Sequence, residues 1–563
     1  VPKPDQSRPP RTDAPPPARP GSVRPARVTP TSLAGLAKEL EGVHGGARIA
    51  RDEAPEAEVS GITNDSRDVR PGDLYAALPG ARVHGADFTA QVVEAGAAAL
   101  LTDEEGARRA REAFAAGTPE VPLLIEPDPR AVMGAAAARI YGHPADALTL
   151  VGITGTNGKS TTGFLAHGAL SHGAHAEAGL VGGVEIRLGG EHPEPGVPAE
   201  RTTPEATQLH ALFAAMRERG TQSAAMEVSS HALVFGRVDG AVFDVAVFNN
   251  LTPEHLDFHA DMEDYFRAKA QLFTPHRARR GIVNIDDAYG RRLAEEVAEI
   301  PVQTYSATGD PDADWRATDV ELRPGGSTFT VHAPDGACAR ASVELPGPFN
   351  VANALAAIAA ATTAGRPLAE AVAGVAAVPG VPGRMERVDG PEGSRVLGVV
   401  DFAHKPDALE NALTALREVT PGKLLVVVGA GGDRDQLKRP HMGAAAARLA
   451  DTAILTSDNP RTEDALAILV QLLEGAARVP ERQRGNVLMM VDREEAIRSA
   501  VRRARPGDTV LVAGKGHEVG QYVGGEVRPF DDREVLGRAL HELSGPPPTD
   551  GAASPKDPKE QQS

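Results

Sequence analysis

Six residues near the middle of the chain carry the strongest chemical signal: Gly155-Thr156-Asn157-Gly158-Lys159-Ser160. An apolar run, Leu148 to Ile153, leads into them, and Thr161 to Leu170 can continue as a helix. A strand that breaks into glycines and then into a helix turns successive backbone N–H groups toward one point, where the helix N-terminus adds partial positive charge. Lys159 can reach the β- and γ-phosphates of a nucleotide triphosphate, and Ser160 can bind a magnesium ion. Residues 155 to 161, Thr161 included, are therefore candidate ATP contacts. The spacing departs from the general G-x-x-x-x-G-K-[ST] pattern: Ile153 stands five before Gly158, and Gly152 comes one residue early. The plain alternative is a glycine-rich surface turn.

Further polar groups stand at the ends of predicted strands, where open α/β sheets bind ligands. Glu227 closes the run Ala224-Ala225-Met226, and a buried carboxylate there is costly unless it is paired or holds a metal. The other reading is a helix-capping glutamate. Asn249 to His259 puts His255, His259, Glu254 and Asp257 in one short loop, a polar site in which neither histidine alone identifies a metal. Lys269 reads as one lysine on an amphipathic helix. Asp458-Asn459-Pro460-Arg461 and Gly514-Lys515-Gly516-His517-Glu518 both follow strand candidates. An arginine can bind a carboxylate bidentately and a glutamate can hold an ammonium group, so Arg461 and Glu518 could grip an amino acid at both ends. Salt bridging within surface loops is the alternative.

Three α/β units must position these groups. Residues 31 to 147 alternate short apolar runs (74–78, 97–101, 121–125) with helical patterns, beginning with a helix over 33–40 capped by Ser32. Residues 148 to 380 hold the phosphate loop and strand candidates at 224–228, 244–248 and 281–284, the pattern of a mostly parallel sheet. A Pro/Gly linker at 378–383 precedes a third, Rossmann-like unit, 381 to 544, with strands expected at 396–400, 424–428, 452–456, 487–491 and 509–512. It lacks G-x-G-x-x-G, so a dinucleotide site is a weak reading. Residues 1–30, with ten prolines, and 545–563 read as disordered tails.

The chain has 563 residues, net charge −18 and a single cysteine, Cys338. The acidity argues against a nucleic-acid partner, and one cysteine excludes an internal disulfide or a multi-cysteine metal site. No apolar run approaches a membrane span and no secretory signal is evident, which places the chain in the cytoplasm without membrane insertion.

Taken together the motifs resemble the Mur ligases, ATP-dependent amide-forming enzymes of peptidoglycan assembly, and among them the type that adds the third amino acid to UDP-muramoyl dipeptide. The resemblance covers about residues 30 to 540. It is carried by residues 155–160, Thr202-Thr203-Pro204, Glu227 to His231, Gly347 to Asn353, Gly383 to Glu386, Asp401 to His404, Gly431 to Arg434, Asp458 to Arg461 and Gly514 to Glu518. It implies that Ser66, His84, Gly85 and Ala86 hold the uridine diphosphate end, and that Thr202, Thr203, Ser229 and Arg237 contact the muramoyl dipeptide and its diphosphate. Ser160 and Glu227 would bind one Mg²⁺, His255 and Lys269 a second, with Lys269 carbamylated to N6-carboxylysine. Asn353, Arg384 and Asp401 would surround the nucleotide, and Arg434, Asp458, Asn459, Pro460, Arg461, Gly514 and Glu518 the incoming amino acid. Lys159, Glu227, His255 and Lys269 form the implied catalytic set.

The implied reaction phosphorylates the D-glutamyl γ-carboxylate with ATP and then aminates the acyl phosphate. Arg461 resembles the diaminopimelate-adding members, because a second carboxylate needs a guanidinium that lysine would not. A monomer is the plain expectation. Lys405, Phe235 and Arg201 depart from the family pattern, the last two standing where some members have glutamine and asparagine. Two other readings share the phosphate loop: a folylpolyglutamate synthase-type ligase, and a regulator that binds ATP without ligation.

Overall fold

The structure, a computed structural model, describes residues 23–41, 48–49, 56–174, 176–391 and 394–543. The expected tails lie outside these residues, except 23–30. Those eight are part of the fold: Arg24, its side chain 9% exposed, pairs with Asp73 at 2.5 Å. Proline content alone misled there, because the ion pairs of Arg24 with Asp73 and Asp68 and the backbone of Ala26 and Arg27, bonded to Glu218, tie the segment down. Two compact units result. The second begins at Pro379 and takes in Glu321–Ser327 and Glu344–Pro348; the remainder forms the first. No helix among the described residues is long and apolar enough to cross a membrane.

The first unit contains two sheets. One has five strands in the order Arg48–Ile49, Leu123–Ile125, Ala99–Thr102, Asp73–Ala77, Gly61–Thr63, parallel except for the first. Its central strands are buried along their whole length, which is why they read as continuous apolar runs. The helix Leu33–Leu40 starts as expected, with Ser32 Oγ accepting from Gly35 N–H at 3.2 Å.

The other sheet has eleven strands, with Thr149–Thr154 flanked by Ser223–Glu227 and Val245–Phe248, both parallel to it. In this register Glu227 lies opposite Ile153 and Phe248 opposite Thr154, so three strands end together beside residues 155–158. Gly152, the early glycine, lies inside the strand; a Cβ there would meet the Phe243 ring at 2.8 Å. It is a packing position, not part of the loop. Strands Trp315–Arg323, Gly326–His332 and Cys338–Val343 extend the sheet beyond what the sequence suggested. They are partly exposed and polar, so no apolar run marks them.

The second unit has a six-stranded sheet in the order Glu386–Val388, Leu397–Asp401, Thr509–Ala513, Leu424–Val428, Thr452–Thr456, Asn486–Met490, parallel except for the first. The five strands read from the sequence are the five parallel ones. Their carboxyl ends carry the loops that begin at Phe402, Gly514, Gly429, Ser457 and Val491.

Candidate functional site

The loop after Thr149–Thr154 is built to bring backbone close to a ligand. Gly158 has φ of +82°, and a Cβ there would sit 2.4 Å from Asn353 Oδ1. Any side chain would meet both a backbone penalty and a clash. The helix Lys159–Ser171 follows at once, with Ser160 and Thr161 buried in its first turn. Lys159 Nζ donates to Gly155 O and Thr156 O, both at 2.9 Å, so the ammonium lies back over the loop it serves.

Two asparagines brace this loop. Asn250 Oδ1 accepts from Asn157 N–H at 2.9 Å, and Asn249 Nδ2 donates to Thr162 Oγ1 at 2.9 Å. Asn353, expected at the nucleotide, is buried and accepts from Thr162 Oγ1 at 3.2 Å. It therefore acts on the loop from beneath. Asn249 and Asn250 were visible only as part of a polar stretch; the apposition of strand ends gives them this role.

Glu227 is 3% exposed at the end of its strand, with Oε1 accepting from Gly183 N–H at 2.7 Å. Ser160 Oγ and this carboxylate are hard oxygen donors and fit a magnesium ion. Lys269 is buried, and its Nζ donates to Gly155 O at 2.9 Å. Burial, with the charge of Lys159 second, holds its pKa well below the usual lysine value. The unmodified amine is a donor, bonded to Gly155 O, and does not by itself fit a cation.

His255 adopts φ of +57° and pairs with Glu254 at 3.0 Å; its pKa is lowered by burial first, then by Lys159 and Lys269. His231 lies edge-on to His255, their ring centroids 4.8 Å apart, and stacks on Phe258. Among the described residues, no three His, Cys, Asp or Glu side chains gather as a metal cluster.

A cavity of about 420 Å³ opens elsewhere in the first unit, lined by residues including Ser66, Tyr75, Gly85, Arg130, Arg201 and Glu205. Of the predicted uridine-diphosphate contacts, Ser66 and Gly85 are on its wall. His84 and Ala86 are not: the His84 ring accepts from Ala86 N–H at 3.0 Å and meets Asp103 at 3.1 Å, capping the turn Gly85–Phe88. Thr202 is half-buried. Thr203 is fully buried, donating to Glu227 O at 2.9 Å, and Ser229 caps the helix Ser230–Val234. These two hydroxyls connect the cavity side to the Glu227 strand. Arg237 pairs with Glu205 at 3.0 Å.

In the second unit Arg461 takes φ of +52°, and its Nη1 donates to Gly432 O at 2.7 Å. Asn459 Nδ2 donates to Glu518 Oε2 at 2.8 Å. Lys515, wholly buried and not singled out beforehand, donates to Asn459 Oδ1, Glu518 Oε2 and Gly520 O. Glu518 is thus held in a network with Asn459 and Lys515, whereas the Arg461 side chain bonds separately to Gly432. Asp458 packs so tightly on Gly514 that a Cβ would lie 2.5 Å from its Oδ2, and Gly514 has φ of +119°. Arg434 is exposed. Arg384 stacks on Phe402 at 4.3 Å, near Asp401, whose pKa is raised by burial against the opposing charge of Arg384.

A strand–phosphate-loop–helix core, preceded by a small α/β layer and followed by a Rossmann-like unit with a buried polar network at its strand ends, defines a three-domain nucleotide-dependent ligase architecture. The family models agree: residues 58–141 match the Mur ligase family catalytic domain, 153–361 the Mur ligase middle domain, and 383–516 the Mur ligase glutamate ligase domain. The chain belongs to the Mur ligase family. It is 60% identical to the UDP-N-acetylmuramoyl-L-alanyl-D-glutamate--2,6-diaminopimelate ligase of Streptomyces coelicolor over 93% of this chain and 99% of that protein. Identity to the enzyme of the same name from Corynebacterium glutamicum is 45%, over 90% and 97%. A solved structure of a ligase of that name superposes with a TM-score of 0.62 at 30% identity, covering 91% of this chain and 99% of that one.

Proposed function

We propose that this chain joins 2,6-diaminopimelate to the D-glutamyl γ-carboxylate of UDP-N-acetylmuramoyl-L-alanyl-D-glutamate, with ATP cleaved to ADP and phosphate. The observation that carries this reading is the 60% identity to a ligase of that name along nearly the whole of both chains. The family model over residues 58–141 tells against the folylpolyglutamate-type reading, and the glutamate ligase domain matched over residues 383–516 against a non-ligating regulator.

In the first step a γ-carboxylate oxygen attacks the γ-phosphorus of ATP and the bond to ADP breaks. Lys159 and the N–H groups of residues 155–160 orient the phosphates and offset their mutual repulsion. Ser160 and Glu227 would hold one magnesium ion, and His255 with a carbamylated Lys269 a second. When bound, these ions supply charge that stabilises the transferring phosphoryl group. In the second step the neutral amine of diaminopimelate attacks the acyl carbon, the C–O bond to phosphate breaks, and the nitrogen loses a proton. Arg461 would pair with the distal carboxylate and Glu518 with an ammonium group. Arg384 and Asp401 keep their proposed nucleotide roles by resemblance alone, as do the remaining site residues theirs.

The test is purified protein with ATP, magnesium, UDP-muramoyl dipeptide and a panel of diamino acids, read by mass. A tripeptide product made with diaminopimelate and not with lysine is expected. Phosphate release indifferent to both acceptor and amino acid would defeat the proposal.

A further inference from the structure

Glu205, 7% exposed, stands just before the helix Ala206–Glu218 and gathers three guanidinium groups. Arg201 and Arg237 pair with Oε1, the latter at 3.0 Å, and Arg130 with Oε2 at 3.3 Å. The Phe235 ring lies against two of them, 5.7 Å from both the Arg130 and Arg237 guanidinium carbons. Arg201 and Phe235, two of the three positions that set the sequence apart from the family pattern, thus lie in one cluster, Arg201 on the carboxylate and Phe235 against the other two guanidinium groups.

One acid against three cations leaves an excess of positive charge. Burial lowers the pKa of Arg237; Glu205 opposes that, and Arg201 and Arg130 add to it. An incoming anion would relieve this repulsion. Arg130, Arg201 and Glu205 all line the 420 Å³ cavity. A guanidinium has five N–H donors, and each of these two arginines spends one on Glu205. Their side chains are 36% and 53% exposed, so donors can face the cavity. The other charged groups on the wall are Asp65 and Arg67, paired at 2.6 Å, and Glu200, whose charge also acts on Arg67. The wall is therefore polarised, with its unbalanced cations at the Glu205 end.

We propose that Arg130 and Arg201, spaced by Glu205, form an anion subsite that takes either the diphosphate or a carboxylate of the sugar-nucleotide peptide. The identity of the ligand rests on the proposed function; the subsite itself does not.

Calorimetry on the full chain tests this with three probes: inorganic pyrophosphate, UDP and UDP-muramoyl dipeptide. Arg130→Ala and Arg201→Ala should each weaken dipeptide binding about tenfold, the usual worth of a charge-assisted pair. The KM values for ATP and diaminopimelate should stay within about twofold, since Arg130 and Arg201 line neither site. Arg130→Lys and Arg201→Lys should restore part of the binding, and they carry the test if an alanine variant melts early. Parallel weakening of pyrophosphate and UDP assigns the subsite to the diphosphate; weakening of the dipeptide alone assigns it to a carboxylate. Unchanged affinity for all three probes in both alanine variants overturns the proposal, as does wild-type protein that binds none. Wild-type protein that ignores the dipeptide yet binds pyrophosphate through these arginines would sink the functional reading and leave the subsite standing.

Discussion

Arg493 and Asp532 are both fully buried and joined by two hydrogen bonds of 2.7 Å. The same guanidinium donates to Ser457 O at 3.3 Å and Ala513 O at 3.0 Å. Ser457 immediately precedes Asp458, and Ala513 precedes Gly514, so one cation anchors both loops proposed to bind the amino acid. Asp532→Ala strands a buried charge and should cost about 3–5 kcal/mol. Arg493→Met strands the buried aspartate at a similar cost and takes this donor from two carbonyls, each worth about 1–3 kcal/mol. The double variant Arg493→Met/Asp532→Leu removes both charges and should recover most of that stability, but it cannot restore the two carbonyl anchors. Its expected signature is near-normal stability with a several-fold higher KM for diaminopimelate and an unchanged KM for ATP. Because a multidomain chain has no single unfolding free energy, hydrogen exchange at residues 457–461 and 513–518 is the proper assay. A double variant as unstable as Asp532→Ala would refute the energetic argument. An unchanged KM for diaminopimelate, despite faster exchange in those loops, would refute the positioning argument.

Gly158→Ala should weaken ATP binding with little loss of overall stability, because strain of roughly 1–3 kcal/mol and the approach to Asn353 fall on the loop itself; nucleotide titration and a melting curve separate the two effects. Arg461→Ala should raise the KM for diaminopimelate about 10- to 100-fold while sparing ATP, with Arg461→Lys recovering less than a full bidentate pair; steady-state kinetics on both substrates checks this. Lys269→Met should abolish turnover yet leave the protein folded, since Lys159 still donates to Gly155 O, and intact mass should show CO₂ on the wild-type lysine alone. His210, wholly buried with Nε2 donating to Asp239 O at 2.9 Å, has a pKa lowered by burial to about 4. The unfolded chain takes up a proton near pH 6.5 and the folded one does not until about 4, so on the order of 3 kcal/mol of stability, complete above 6.5, is lost as pH falls through that window. His210→Gln should flatten the melting temperature across it.

Local pattern was sufficient for much of this protein. Continuous apolar runs marked most of the buried parallel strands within a residue or two, because a strand covered on both faces has no polar alternation to blur it, but the three-residue strands Gly61–Thr63 and Gly179–Val181 were too short to stand out. The Gly-Thr-Asn-Gly-Lys-Ser sequence was legible because a phosphate loop is a contiguous piece of backbone whose chemistry lies in its own residues. Arg461 and Glu518 do lie on loops directly after strands, as the sequence suggested, while their joint hold on an amino acid remains the proposed reading.

What only the tertiary structure decided involves groups far apart in sequence. Lys269 is an ordinary helical lysine until packing buries it against Gly155, and that burial lowers its pKa. Asn353 lies 191 residues from Thr162, whose hydroxyl it receives. Glu205 collects arginines from positions 130, 201 and 237, and Arg493 finds Asp532 across 39 residues. A side chain's sequence neighbours set its propensity and period. Its charge state, its partners and the energy of its contacts depend on which distant strands end beside it and how much water they exclude.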